Sequence, residues 1–293
     1  MKKPWLNLAL VLAALITMAC SCPRHVYYSP PAQNVPMLKE KGELSAECGL
    51  TSGRIPQPYD FCEPTYTGGF YLQAAYSHRS NIGIAFNHMM VDRSWKQYSN
   101  SNGNVTDLEG SGRGFATDLG AGYYMTLERF GWLGKAGKYI QVEAYSGLGY
   151  SGQSHFYRDS AYSGSADLKA LIFYVQPAIG VNLPWLTVSL SLRQNNFYFH
   201  RIRTSYPDNY PGSNYARVET DVVDYLQRHP FQAFIEPAFT IKMGWKHIKL
   251  SFQYCLSSGI TGLTYVATEP QRFSLGLQIN IAARYKKVKT LVN

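Results

Sequence analysis

Near the end of the chain Phe273, Leu275, Leu277, Ile279, Ile281 and Ala283 are apolar, while Ser274, Gly276, Gln278, Asn280 and Arg284 between them are polar or small. A repeat of two residues puts one greasy face on a pleated strand. The preceding segment repeats it, with Ile248, Leu250, Phe252, Tyr254 and Leu256 set against Lys249, Ser251, Gln253, Cys255 and Ser257. Shorter versions run through Ile82, Ile84 and Phe86 and through Ile140, Val142 and Ala144. Followed along the chain, the pattern predicts ten strands, over residues 42–50, 69–77, 81–92, 114–127, 138–150, 168–182, 185–199, 231–243, 246–257 and 272–284. Most are long enough to cross a bilayer, which takes about 9 to 11 tilted residues.

The connections alternate in length. Short ones fall at His78–Asn81, Leu127–Lys138, Leu183–Pro184 and Gly244–Trp245, and long ones cover residues 51–68, 93–113, 151–167, 200–230 and 258–271. An even strand number with short turns on one side and long loops on the other is the plan of a transmembrane β-barrel. The expected fold is therefore all-β: an antiparallel up-and-down barrel closed between its first and last strands, with Leu277 and Ile279 facing lipid and Gln278 facing inward. Both termini are then expected on the short-turn, periplasmic side, with the long loops external. An exported β-sandwich is the alternative at the level of fold, because alternating strands build sandwiches too.

A partial internal repeat supports the hairpins: Phe173–Val181 (FYVQPAIGV) aligns with Ala233–Ile241 (AFIEPAFTI). Pro177 and Pro237 within it require a bulge or a break, since proline cannot donate to the ladder.

Composition agrees with strands. Charged residues make up only 16%, while Tyr (23), Phe (14) and Gly (25) are abundant. Aromatic residues suit pleated, half-exposed surfaces. Past residue 19 no apolar run approaches the roughly 18 residues of a membrane helix.

The first residues follow a secretory plan: Lys2 and Lys3, an apolar core from Leu6 to Ala19, then Cys20. Residues 1–19 read as a signal peptide. Ile16-Thr17-Met18-Ala19-Cys20 resembles a lipoprotein signal with Cys20 as the acylated residue, although Thr17 stands where leucine is usual. Thr17-Met18-Ala19 equally offers an ordinary cleavage site, and Cys22 is a weaker acceptor. The Pro-rich, polar stretch over residues 20–41 reads as a lipid-anchored extended tether, residues 42–285 as the barrel, and 286–293 as a basic periplasmic tail. In an oxidising compartment Cys48 and Cys62, flanking one loop, are a candidate disulfide; four cysteines allow three pairings.

With the apolar face toward lipid, the lumen receives Glu47, Gln73, Asp118, Glu143, Gln176, Arg193, Glu236, Lys242, Lys249, Gln253 and Arg284. Mixed charges in a narrow barrel pair with one another, because an unpaired buried charge is costly. Glu47, Asp118, Glu143, Arg193, Glu236 and Lys249 are the expected charge network of a filled interior. Arg79, Arg129, Lys135, Lys138, Lys242, Lys246, Arg284, Lys286, Lys287 and Lys289 form a basic rim at the turns and tail, suited to anionic headgroups.

The loop over 200–230, with Tyr206, Tyr210, Tyr215 and Tyr225, suits either a binding surface or a cover over the barrel mouth. Ser154, His155 and Asp159 share one loop, but proximity in sequence carries no triad geometry. The seven histidines lack metal-ligand spacing, no phosphate loop is evident, and no cofactor is expected. The positive charge (+9) has a membrane explanation in an exported chain, so nucleic acid is not an expected partner.

Cys20-Ser-Cys-Pro, Asn34–Leu44 (NVPMLKEKGEL) and Gly68–Ser77 (GGFYLQAAYS) resemble lipid-anchored outer-membrane β-barrel proteins of Bacteroidota. The last strand resembles the recognition signal of barrel-assembly clients, matched by Ser274, Gly276, Ile279 and Ile281. Tyr285 supplies the terminal aromatic, followed by a tail that departs from the usual abrupt end. The resemblance implies the outer membrane, insertion by the barrel-assembly machinery, and contact with outer-membrane lipid. It supplies no activity. The expected role is a non-enzymatic structural or accessory subunit of a cell-envelope complex with an envelope protein partner. A small channel and a lipid-modifying enzyme are the alternatives.

Overall fold

The computed structural model describes residues 26–39, 41–55, 65–79, 81–101, 104–129, 131–158, 163–205, 223–245, 247–260 and 267–281. Ten long strands run through them: β1 (Leu44–Ile55), β2 (Thr65–Arg79), β3 (Ile82–Ser101), β4 (Asn104–Thr126), β5 (Ile140–Arg158), β6 (Ser163–Asn182), β7 (Leu186–Thr204), β8 (Phe231–Gly244), β9 (Ile248–Leu256) and β10 (Gln271–Asn280). Each pairs antiparallel with its sequence neighbours, and β10 pairs with β1, from Asn280 opposite Ser45 to Gln271 opposite Arg54. The sheet closes into a ten-stranded antiparallel barrel. Closure leaves no sheet edge with unpaired backbone groups, which is what a strand protein needs in hydrocarbon.

The strands begin and end near the expected places at the turn end, but β3 to β7 run well beyond them at the other. Residues 93–101, 104–113, 151–158 and 163–167, expected in loops, continue the ladders. The backbone pairing continues there although the sequence no longer alternates apolar with polar residues. The two ends are therefore unlike. At the turn end the connections are residues 80–81, the 3₁₀ segments Leu127–Arg129 and Gly131–Lys138, residues 183–185 and residues 245–247. At the loop end lie the tips of the long hairpins and the 205–230 and 257–270 connections.

The two prolines are accommodated by breaks. Pairing of β6 with β7 skips Gln176 and Pro177, and pairing of β8 with β9 stops at Ala238, next to Pro237.

The wall is greasy outside and polar inside. Leu50, Leu148, Leu119, Leu190 and Leu275 stand outward and exposed, Leu148 at 69%, in a band that continues through Phe173, Ile179, Leu250, Leu277 and Ile279 on other strands. Soluble proteins rarely expose so continuous an apolar surface; the band is built for lipid. The alternate residues, among them Gln73, Asn87, Gln141, Gln176, Asn195, Gln253 and Gln278, are buried inside.

Inward tyrosines lie across inward glycines of adjoining strands. A Cβ on Gly49 would stand 2.7 Å from the Tyr71 ring, one on Gly276 2.1 Å from its hydroxyl, and one on Gly120 2.2 Å from the Tyr174 hydroxyl. Gly147 lies equally close under Tyr174, and Gly122 and Gly83 under Tyr145. The glycines are required because flat rings occupy the space a side chain would take.

Candidate functional site: the strap through the lumen

Residues 29–39 carry no helical or strand period, and they adopt no regular element. They are nevertheless the most enclosed part of the chain: Tyr28 through Leu38 are all buried. The segment enters at the loop end, where the Glu269 amide donates to the Tyr28 carbonyl at 2.9 Å, and Val26 and Tyr28 pair with Ala267 and Thr268. It runs down the lumen as a strap and leaves at the turn end, where the Lys39 ammonium donates to the Asn182 carbonyl at 2.8 Å. From there Gly42 donates to Ser77, and β1 begins.

An extended chain inside a barrel presents backbone donors and acceptors that must be satisfied. The sequence removes some of them: Pro30, Pro31 and Pro36 have no N–H to bury. Wall side chains partner many of the others. Gln253 grips the backbone of one residue at both of its polar groups, accepting from the Gln33 amide at 2.6 Å and donating to the Gln33 carbonyl at 2.9 Å. Gln73 donates to Ala32, Gln176 to Asn34, Gln141 to Leu38 and Asn182 to Met37, at 2.6 to 2.8 Å. Lys242 donates to Val35 at 3.1 Å, and the Glu143 carboxylate accepts from the Met37 amide at 3.2 Å. The strap's own side chains answer. Gln33 donates to the Glu236 carbonyl and accepts from Ser191, and Asn34 donates to the carbonyls of Ala74 and Phe86.

The inward charges are organised around this strap. Arg193 donates to Asp118 at 2.7 Å, with both side chains about 2% exposed, and its guanidinium lies over the Tyr174 ring at 3.9 Å. Lys242 donates to Glu47 at 2.8 Å, and Tyr71 donates to the other Glu47 oxygen at 2.9 Å. Glu236 accepts from Asn195 at 2.8 Å, and Lys249 donates to the Thr187 hydroxyl at 2.8 Å. Glu47, Asp118, Glu143, Arg193, Glu236 and Lys249 thus all point inward. Asn195 accepts from Arg193 at 2.9 Å and so joins the Asp118–Arg193 pair to Glu236, while Glu47 pairs with Lys242 and Glu143 meets the strap. Lys242, assigned from sequence to both the lumen and the basic rim, lies in the lumen; Arg284 lies outside the described residues.

The loop end is closed by a second device. Residues 223–228 form a short helix, and its Val223 and Leu226 are fully buried among Ala166, Leu168, Phe197, Phe199, Phe234 and Tyr28. Tyr28 packs edge-on to Phe197 at 4.6 Å and receives the Asn195 side-chain amide on its hydroxyl at 3.0 Å. This end of the 200–230 loop therefore covers the barrel mouth; Tyr206, Tyr210 and Tyr215 lie outside the described residues, and the Tyr225 ring stacks near His229 at 4.7 Å.

Other sequence-derived sites are placed as follows. Residues 20–41 do not form a free tether over their described part, because the lumen's amides offer an extended chain more hydrogen bonds than a linker needs. Val26 and Asn280, near the two limits of the described residues, lie at opposite mouths, because the threaded strap crosses the barrel; the two ends of the chain, expected together at the turn end, lie outside the described residues. Cys20 lies outside those residues, as does Cys62. Cys48 is a free thiol on the outer wall, opposite Leu72. Ser274 and Gly276 face inward and Ile279 and Ile281 outward, at the strand that closes the barrel. Ser154 and His155 fall on opposite faces of β5; Ser154 donates outward to Asp167 at 2.6 Å, and Asp159 lies outside the described residues.

No family model matches this chain, and no curated protein does. Among solved structures it is similar to the translocator domain of the autotransporter NalP from Neisseria meningitidis, at 11% identity over 94% of this chain and 96% of that one, TM-score 0.47. It is also similar to the outer membrane protein OprG from Pseudomonas aeruginosa, at 9% identity over 84% and 99%, TM-score 0.37. A third is Ail, the attachment invasion locus protein of Yersinia pestis, at 10% identity over 82% and 99%, TM-score 0.32. These likenesses reach no further than barrel architecture, which the strand pairing establishes by itself.

Proposed function

We propose that this protein is a sealed outer-membrane barrel acting, without catalysis of its own, as a structural or accessory subunit of a cell-envelope complex. The observation that carries the reading is the strap: a lumen filled from mouth to mouth by hydrogen-bonded chain has no path for ions or solutes. The outward apolar band supports a place in a bilayer, and export across the inner membrane supports the outer one. A plugged barrel with hairpins rising past the band offers its loop end as a rigid platform for a partner. Pull-down from gently solubilised membranes tests this: co-purification of a stoichiometric envelope protein is the expected result, and recovery of the barrel alone at every detergent strength refutes it.

We propose also that Cys20 is acylated. The stretch from Cys20 to Val26 reaches at most about 21 Å, so the strap's upstream end at the loop mouth favours an acyl chain in the leaflet on that side, not the inner leaflet. Palmitate incorporation that disappears in Cys20→Ala is the expected result; equal incorporation in both refutes it.

A further inference from the structure

The outer wall at the loop end carries a feature the sealed lumen does not use. Register sets two rows of outward residues side by side across β3 to β7. The upper row is Asp92, Arg113, Ser154, Asp167 and Arg203; the lower is Met90, Phe115, Gly152, Lys169 and Arg201. Between them lies a groove of about 430 Å³. Gly152 creates it: with no side chain there, the Phe115 ring leans across the gap, and an added Cβ would meet it at 2.6 Å. The floor is apolar, from Met90 and Phe115, and below it the wall continues as the greasy band through Leu171 and Tyr198.

Four cations, Arg113, Lys169, Arg201 and Arg203, line this groove against the single lining carboxylate Asp167. Arg113 pairs with Asp92 at 3.0 Å, in the open, and Asp167 accepts from Ser154. Among the described residues Lys169, Arg201 and Arg203 make no ion pair. Height matters as much as charge. From Ile140 to Gly152, at about 3.3 Å per residue and a tilt of about 40°, the wall rises roughly 30 Å, which is the hydrocarbon thickness of a bilayer. Cations on an apolar floor at that level meet the headgroups of the leaflet on the loop side.

We infer that this groove binds a phosphate-bearing lipid of that leaflet, the phosphate held by Lys169, Arg201 and Arg203 and the acyl chains laid on Met90, Phe115 and the band below. The inference rests on the membrane reading above. The occupant is a lipid and not a soluble phosphate, because the cations open downward onto greasy wall.

The test uses the full-length barrel refolded into phosphatidylcholine vesicles, with insertion checked by heat-modifiable gel mobility. Phosphatidylglycerol is then titrated in, and retention is read by native mass spectrometry of detergent extracts. The expected result is a retained phosphatidylglycerol, with affinity falling about a hundredfold in the Lys169→Gln, Arg201→Gln, Arg203→Gln triple variant, from about 1 kcal/mol per charge. Arg158→Gln, a control at an exposed cation on β5 outside the groove, leaves retention unchanged. Insertion with equal retention in the triple variant, or equal retention of phosphatidylcholine, overturns the inference alone. Displacement by millimolar inorganic phosphate also overturns it, since that marks a simple anion site. Failure to insert overturns the membrane reading and the inference with it.

Discussion

Replacing Lys242 by methionine is the sharpest single perturbation of the interior. The Lys242 ammonium is 3% exposed and makes two contacts, to Glu47 at 2.8 Å and to the strap carbonyl of Val35 at 3.1 Å. Methionine keeps the volume and removes the charge. Glu47 is then a buried carboxylate without its cation, which costs about 3 to 5 kcal/mol. The Val35 carbonyl loses a charged donor, worth a further ~1.5 to 3 kcal/mol if no other group replaces it. The folding equilibrium should therefore fall by at least two powers of ten, at about 1.4 kcal/mol each. Adding Glu47→Gln removes the stranded charge, and the double variant should recover most of the Glu47 part, leaving the strap contact as the residual loss. Urea unfolding in lipid vesicles, followed by tryptophan fluorescence and by heat-modifiable mobility, reads all three proteins. A loss under about 1 kcal/mol in Lys242→Met, or a double variant no better than the single one, refutes the assignment of this pair as a buried, mutually dependent ion pair.

Four further outcomes follow from the same barrel. Gln253→Leu removes the grip on the Gln33 backbone and should cost about 2 to 4 kcal/mol as two buried backbone groups lose partners; faster hydrogen exchange at the strap amides, with the barrel amides unchanged, is the readout. Gly120→Val places a side chain where the Tyr174 hydroxyl and the Ser146 carbonyl already stand at 2.2 and 2.7 Å, and overpacking of this kind costs about 1 to 3 kcal/mol or more. Gly68→Ala, with nothing within 4 Å of its Cβ, should leave the urea midpoint where it is. In vesicles, Cys48 on the lipid-facing wall should react with an apolar maleimide but not a charged one, and Cys255, 2% exposed inside the barrel, with neither until unfolding.

The barrel was readable because lipid and lumen impose opposite demands on alternate residues. Leu277 and Ile279 stand outward and Gln278 inward as the period of two requires, and the number and order of strands follow from the same rule together with turn length. Strand ends at the loop side were not readable: past the band the sequence of residues such as Trp95 to Ser101 does not alternate apolar with polar, yet the backbone still pairs. The strap escaped for a different reason. Ser29 to Leu38 has no period, and its partners are single side chains scattered over many strands, so no local pattern encodes it. One signal was present, namely the excess of amides at inward positions. Gln73, Gln141, Gln176, Asn182 and Gln253 both give and accept hydrogen bonds, as a threaded backbone requires, whereas a lumen packed by its own charges would need acids and bases alone.

Everything in the functional account depends on the lumen being closed by the chain's own residues 29–38. Single-channel recording in planar bilayers measures this directly, on the full-length protein and on a variant lacking both those residues and the mouth-covering residues 223–228, whose heat-modifiable mobility shows that the barrel still closes. The account predicts a silent full-length protein and discrete conductance steps in the deleted variant. Steady ion steps from the full-length protein, or equal silence from both, would contradict it.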